Sequence, residues 1–195
     1  MKIRILLVAC VAAVTTIAAQ SDALHDALNL GRSHDQALFD AFNAAYRIPT
    51  SGEVDMLEII TEFRRAVLIV REHADQGEYS FNENNLTRAL APFRGLVTFV
   101  AQVRLHPQNI YPKPPRYEMY VRTGPASPPV ADHALTRTAV YPPGLAAPGA
   151  SMTAVRLEAS LPRAEISNSS DPALVIVNEQ GDPLWQGRID LARFR

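Results

Sequence analysis

The sequence predicts an α+β fold: about three N-terminal helices packed on a C-terminal antiparallel β-sandwich of about six strands. Three observations predict it. Apolar residues recur at helical spacing up to about residue 93. At Gly95 the period changes to alternation. Beyond it, short runs rich in Val, Leu and Phe are separated by Pro- and Gly-bearing turns.

Helical character is expected across 22–93. Ser33 followed by Gln36 is a capping-box pattern, and Leu38, Phe42 and Ala45 then repeat along one face until Pro49. The clearest periodicity joins Met56, Ile60, Phe63, Val67, Val70 and Ala74, in steps of four and three. It predicts a helix over 54–76, capped by Thr50 and Glu53 and stopped by Gly77. Its other face carries Asp55, Glu58, Glu62, Arg65 and Glu72, read as a solvated ion-pair face. A short third helix is expected over 84–91, closed by Pro92.

The first strand is expected over 96–105, with Val97, Phe99, Ala101, Val103 and Leu105 on one face. Further strands are expected over 116–123, 135–141, 153–161, 173–178 and 184–191. The turn Asn178-Glu179-Gln180-Gly181-Asp182-Pro183 has the residues a hairpin connection requires. Segments 106–115, 124–133 and 142–150 read as loops. The division is therefore a leader over 1–19, a helical region over 20–95 and a sandwich region over 96–195, the last two able to form one composite domain.

The leader carries the strongest functional expectation. Lys2 and Arg4 precede a charge-free run from Ile5 to Ala19, and polarity returns at Gln20, Ser21 and Asp22. A basic start, a short apolar stretch and a small-residue exit form a secretory signal. Cleavage after Ala19 fits, as does cleavage after Ala23. A permanent anchor needs about 20 apolar residues, more than this run supplies. Leu7-Val8-Ala9-Cys10 resembles a bacterial lipobox, but its lead-in from Arg4 is too short for lipidation. Periplasm or secretion is the expected destination, with membrane contact only for export through 1–19.

Composition narrows the chemistry. Cys10 is the only cysteine, so the exported remainder has no disulfide and no thiol nucleophile. With 19 Lys+Arg against 20 Asp+Glu, no overall basic field draws nucleic acid. Lys113 is the only lysine beyond the leader, which disfavours Schiff-base chemistry. Richness in Ala, Arg and Pro points to a bacterial source. No Gly-x-Ser-x-Gly elbow and no phosphate-cradling glycine loop occurs in the sequence. No cofactor is expected.

Three constellations remain. Arg104, His106, Tyr111, Lys113, Arg116, Tyr117 and Tyr120 fall in one short, proline-stiffened stretch that is cationic and aromatic. A stiff loop loses little entropy on binding, and Tyr and Arg give large contacts with hydrogen bonds. The expected partner is an envelope protein or an anionic or sugar-like ligand. Second, Asp22, His25, Asp26 and Asn29 share one helical face, a spacing that permits metal ligation. Third, Glu58 and Glu62 form a possible acid/base pair, with Arg65 nearby to neutralise it. The reading that follows is an exported non-catalytic binding or assembly module of the bacterial envelope. The alternatives are a metal-dependent hydrolytic enzyme using His25, Asp26 or His106, and a purely structural envelope protein.

Overall fold

A computed structural model describes residues 22–124, 127–130, 134–144, 150–169 and 171–195. The expected leader over 1–19 lies outside them, as do parts of the loops over 124–133 and 142–150. The fold is α+β. The chain forms two compact units, one of residues up to 41 and 62–94, the other of 42–61 and 95–195.

The first unit is helical. Helix α1 runs through residues 22–31, and α2 covers Gln36–Ala44, its first residues lying in this unit. Helix α3 covers Glu62–Asp75 and α4 covers Glu83–Leu90, followed by a 3-10 turn at Ala91–Phe93. Asp35 caps α2 in place of the expected Ser33: its Oδ1 accepts the Leu38 N–H at 3.0 Å. Asn82 caps α4, accepting from Asn84 N and Asn85 N. The buried residues Ala27, Leu28, Ala66, Val67, Val70, Phe81, Leu86 and Leu90 form its apolar interior. Arg71 ties α3 back to the first residues of α2. It donates to Ser33 O at 2.7 Å and to Gln36 Oε1 at 3.2 Å, and its guanidinium lies 4.9 Å from the Phe39 ring centroid.

The helix expected over 54–76 is two elements. Val54–Ile60 is a strand, β1, and only Glu62–Asp75 is helical. The expected cap by Thr50 and Glu53 therefore does not exist. Met56 and Ile60 fit a spacing of four, but they share that fit with an irregular strand. A bulge between Val54 and Met56 and the adjacent buried pair Ile59 and Ile60 hide the alternation.

Among its described residues the second unit is antiparallel sheet with the end of α2, one short α-helix and a 3-10 turn at Leu191–Arg193. Strands β2 (Leu96–Arg104), β3 (Glu118–Arg122), β4 (Pro129–Val130), β5 (Ala134–Val140), β6 (Ala154–Pro162), β7 (Ala173–Val177) and β8 (Pro183–Arg188) join β1. They form two four-stranded sheets, ordered β1-β2-β6-β5 and β4-β3-β7-β8. Eight strands are present among the described residues, close to the about six expected; β1 and the two-residue β4 are the additions. Helix α5 (Arg163–Ser167) follows β6 directly.

One apolar core serves both sheets. Leu57 and Ile59 from β1, Val97, Phe99, Ala101 and Val103 from β2, and Val155, Leu157, Ala159 and Leu161 from β6 face it from one sheet. Met119, Val121, Leu174 and Ile176 face it from the other. This is the period-two pattern expected for 96–105, and Leu105 also belongs to the core. The turn between β7 and β8 forms as its residues predict. Asn178 Oδ1 accepts from Gln180 N and Asp182 N, and Gly181 takes a φ of 86°, which residues with a Cβ rarely adopt. No helix among the described residues is long and apolar enough to cross a membrane.

Candidate functional site

The loop after β2 turns outward and leaves a concavity of about 800 Å³ in the second unit. Three chain segments build it. Glu53 precedes β1, Arg104 to Tyr111 form the end of β2 and the loop, and Tyr117 precedes β3. The first two segments meet because β1 pairs with β2: Arg104 N donates to Glu53 O at 2.7 Å.

Asn109 holds the loop in shape. Its Nδ2 donates to His106 O at 2.7 Å and to Met152 O at 2.8 Å. Its N–H also donates to His106 O, closing a tight turn. Its Oδ1 is buried without a partner among the described residues, which costs roughly 1–3 kcal/mol. His106 Nδ1 accepts the Gln108 N–H at 3.2 Å, so the neutral ring carries its proton on Nε2. The loop then presents Ile110 at 94% exposure and Tyr111 at 51%.

Tyr117 is only 8% exposed and belongs to the sandwich core. Burial pushes its phenol up from 10.0 to about 12, and Tyr111, Glu53 and Glu179 push the same way. The hydroxyl therefore remains a neutral hydrogen-bonding group across the physiological range. Tyr117 O accepts Arg137 Nε at 2.6 Å, which fixes the backbone entering β3.

The structure gathers Arg104, His106, Tyr111 and Tyr117 around one concavity but not Lys113, Arg116 or Tyr120. Lys113 and Arg116 are exposed and lie off its wall; the Arg116 N–H donates to Glu179 Oε1 at 2.7 Å. Tyr120 lines a separate groove with Glu118, Leu135 and Arg137, and its hydroxyl accepts from Arg122 at 3.0 Å. Within the concavity the cation Arg104 is already engaged. It lies 3.3 Å from Asp55 Oδ1 and donates to Gly52 O at 3.2 Å. Glu53 stands in the same wall, and no hydrogen bond or ion pair joins its side chain to another described residue. Sequence reasoning placed Glu53 in a helix cap; no local signal joins it to a loop some fifty residues away, and only the β1–β2 pairing does.

Asp22, His25, Asp26 and Asn29 all lie exposed on α1 in the first unit. His25 Nδ1 is 3.7 Å from Glu83 Oε1. No group of three or more His, Cys, Asp or Glu is placed to hold a metal ion among the described residues. Glu58 forms an ion pair with Arg47 at 3.2 Å from within β1, whereas Glu62 belongs to α3, so the two do not share a helix face. Comparison with family models, with curated proteins and with solved structures finds no match.

Proposed function

We propose that the chain is an exported, non-catalytic binding module of the bacterial envelope, and that the concavity of Glu53, Arg104 to Tyr111 and Tyr117 is its contact site. The charge-free leader from Ile5 to Ala19 is the basis for export, to the periplasm or beyond it. The observation that carries the binding reading is the concavity itself. Its volume of about 800 Å³ falls in the roughly 300–1,000 Å³ range of small-ligand sites. Its walls mix aromatic and aliphatic side chains with a few polar groups, the composition such sites use. The anchoring of Asn109 to Met152 O pre-forms it, so little order remains to be created on binding.

His106 Nδ1 accepts from Gln108 N, which leaves the ring Nε2–H as its hydrogen-bond donor.

The test is a nuclear magnetic resonance titration of the purified protein with three probes: inorganic phosphate, an N-acetylglucosamine trimer and butylguanidinium. Saturable shifts from any one of them, confined to residues 53 and 104–117 and lost in Tyr111→Ala, are the expected result. Shifts elsewhere, or none from all three, would reject the site and favour the purely structural alternative.

A further inference from the structure

We propose that this concavity selects an organic cation, a guanidinium or an alkylammonium group, rather than an anion; the inference rests on the concavity being the binding site. The segment is rich in basic residues, yet the fold directs their charge elsewhere. Lys113 and Arg116 lie off the wall. Arg104 lines it, but its guanidinium is engaged by the Asp55 carboxylate at 3.3 Å and by Gly52 O at 3.2 Å. An incoming anion would have to compete with Asp55 for that one cation.

The groups left to meet a ligand have the opposite character. Glu53 contributes a carboxylate that no described residue pairs with. Tyr111, half exposed, and Tyr117, almost wholly buried, line the same concavity. Aromatic faces carry negative potential and attract guanidinium and ammonium groups, and a neighbouring carboxylate adds to the attraction. The exposed Tyr111 ring and its neighbour Ile110 are also the reason a bare metal ion is a poorer fit than an organic cation, which can cover them with its own apolar atoms. Burial is the main cause of the raised Tyr117 pKa; the smaller push from Tyr111, Glu53 and Glu179 is consistent with a field of negative sign at this wall.

Two sources supply this chemistry: a free small cation, and the Arg or Lys side chain of a peptide. Titration calorimetry distinguishes them, using butylguanidinium and a blocked five-residue peptide with one central arginine. Inorganic phosphate and an N-acetylglucosamine trimer serve as the anionic and neutral probes. Glu53→Gln and Arg104→Gln are the variants; both residues are exposed, and a thermal melt checks that each variant folds.

The expected result is saturable binding of the cation, weakened about tenfold by Glu53→Gln, the loss of one charge-assisted contact. Arg104→Gln removes a like charge and frees Asp55, so it should tighten the same cation. Tighter binding of the peptide than of butylguanidinium assigns the ligand to a protein partner; equal or weaker binding assigns it to a free cation. Phosphate binding that Arg104→Gln abolishes would overturn the inference while leaving the binding site standing. So would binding of the neutral sugar without the cation. Failure of all four probes at this wall would overturn the inference and the site together.

Discussion

Gly31→Ala is expected to destabilise the protein, although helix propensity alone predicts the reverse. Gly31 is the last residue of α1 and is buried. A Cβ built there would lie 2.7 Å from both Val70 Cβ and Val70 Cγ1, and 2.8 Å from Val67 O. Two of those three atoms cannot move aside by a rotamer change, because one is a carbonyl oxygen of α3 and another is a Cβ. α1 must therefore shift away from α3, opening the interior that holds Ala27, Leu28, Val67 and Val70. Overpacking of this kind costs roughly 1–3 kcal/mol. Replacing glycine by alanine in a helix returns about 0.5–1 kcal/mol, with the lower end appropriate at a helix terminus. The net expectation is a loss of about 1–2 kcal/mol, read as a lower urea midpoint followed by far-ultraviolet circular dichroism. Of those three atoms Val70→Ala removes only Cγ1, so Gly31→Ala should still destabilise in that background. A Gly31→Ala protein as stable as its parent, or more so, would show that α1 does not approach α3 as described.

Further outcomes follow from the sandwich, the buried phenol and the leader. Leu157→Ala, on the inner face of β6 at 0% exposure, should cost about 3 kcal/mol, whereas Arg156→Ala on the opposite face should stay within about 0.5 kcal/mol. Equal losses in chemical denaturation would contradict the assignment of faces. Between about pH 10 and about pH 12 the unfolded chain has lost the Tyr117 proton while the native chain retains it, so stability should fall as pH rises through that window. Ultraviolet absorbance should show a late tyrosine step that Tyr117→Phe removes; a titration that Tyr117→Phe leaves unchanged would refute it. Expressed with its leader in a bacterial host, the exported protein should begin at Gln20 or Leu24 by mass spectrometry. Recovery from the cytosol with Met1 attached would count against export.

Legibility from sequence varied with how local the determining interactions are. The inner face of β2 could be read because Val97, Phe99, Ala101, Val103 and Leu105 alternate without interruption and one face is buried. The Asn178 turn could be read because its geometry depends on Asn178 and Gly181 themselves. β1 could not, because its bulge at Val54 and Met56 breaks the alternation and α3 begins two residues after it ends. That single misreading hid the site's acidic member. Without β1 paired to β2, nothing brings Glu53 to the loop. The loop itself was legible as stiff, but its charge was not. Composition counts Arg104, Lys113 and Arg116 as one basic patch, while the fold pairs the first with Asp55 and turns the others off the wall.

The claim that the concavity beside Glu53 and Tyr111 receives a ligand is tested most directly by a crystal structure grown with saturating butylguanidinium. The account predicts density for the cation over the Tyr111 ring and within hydrogen-bond distance of the Glu53 carboxylate. An empty concavity at saturation, or the cation bound only at some other surface, would contradict it.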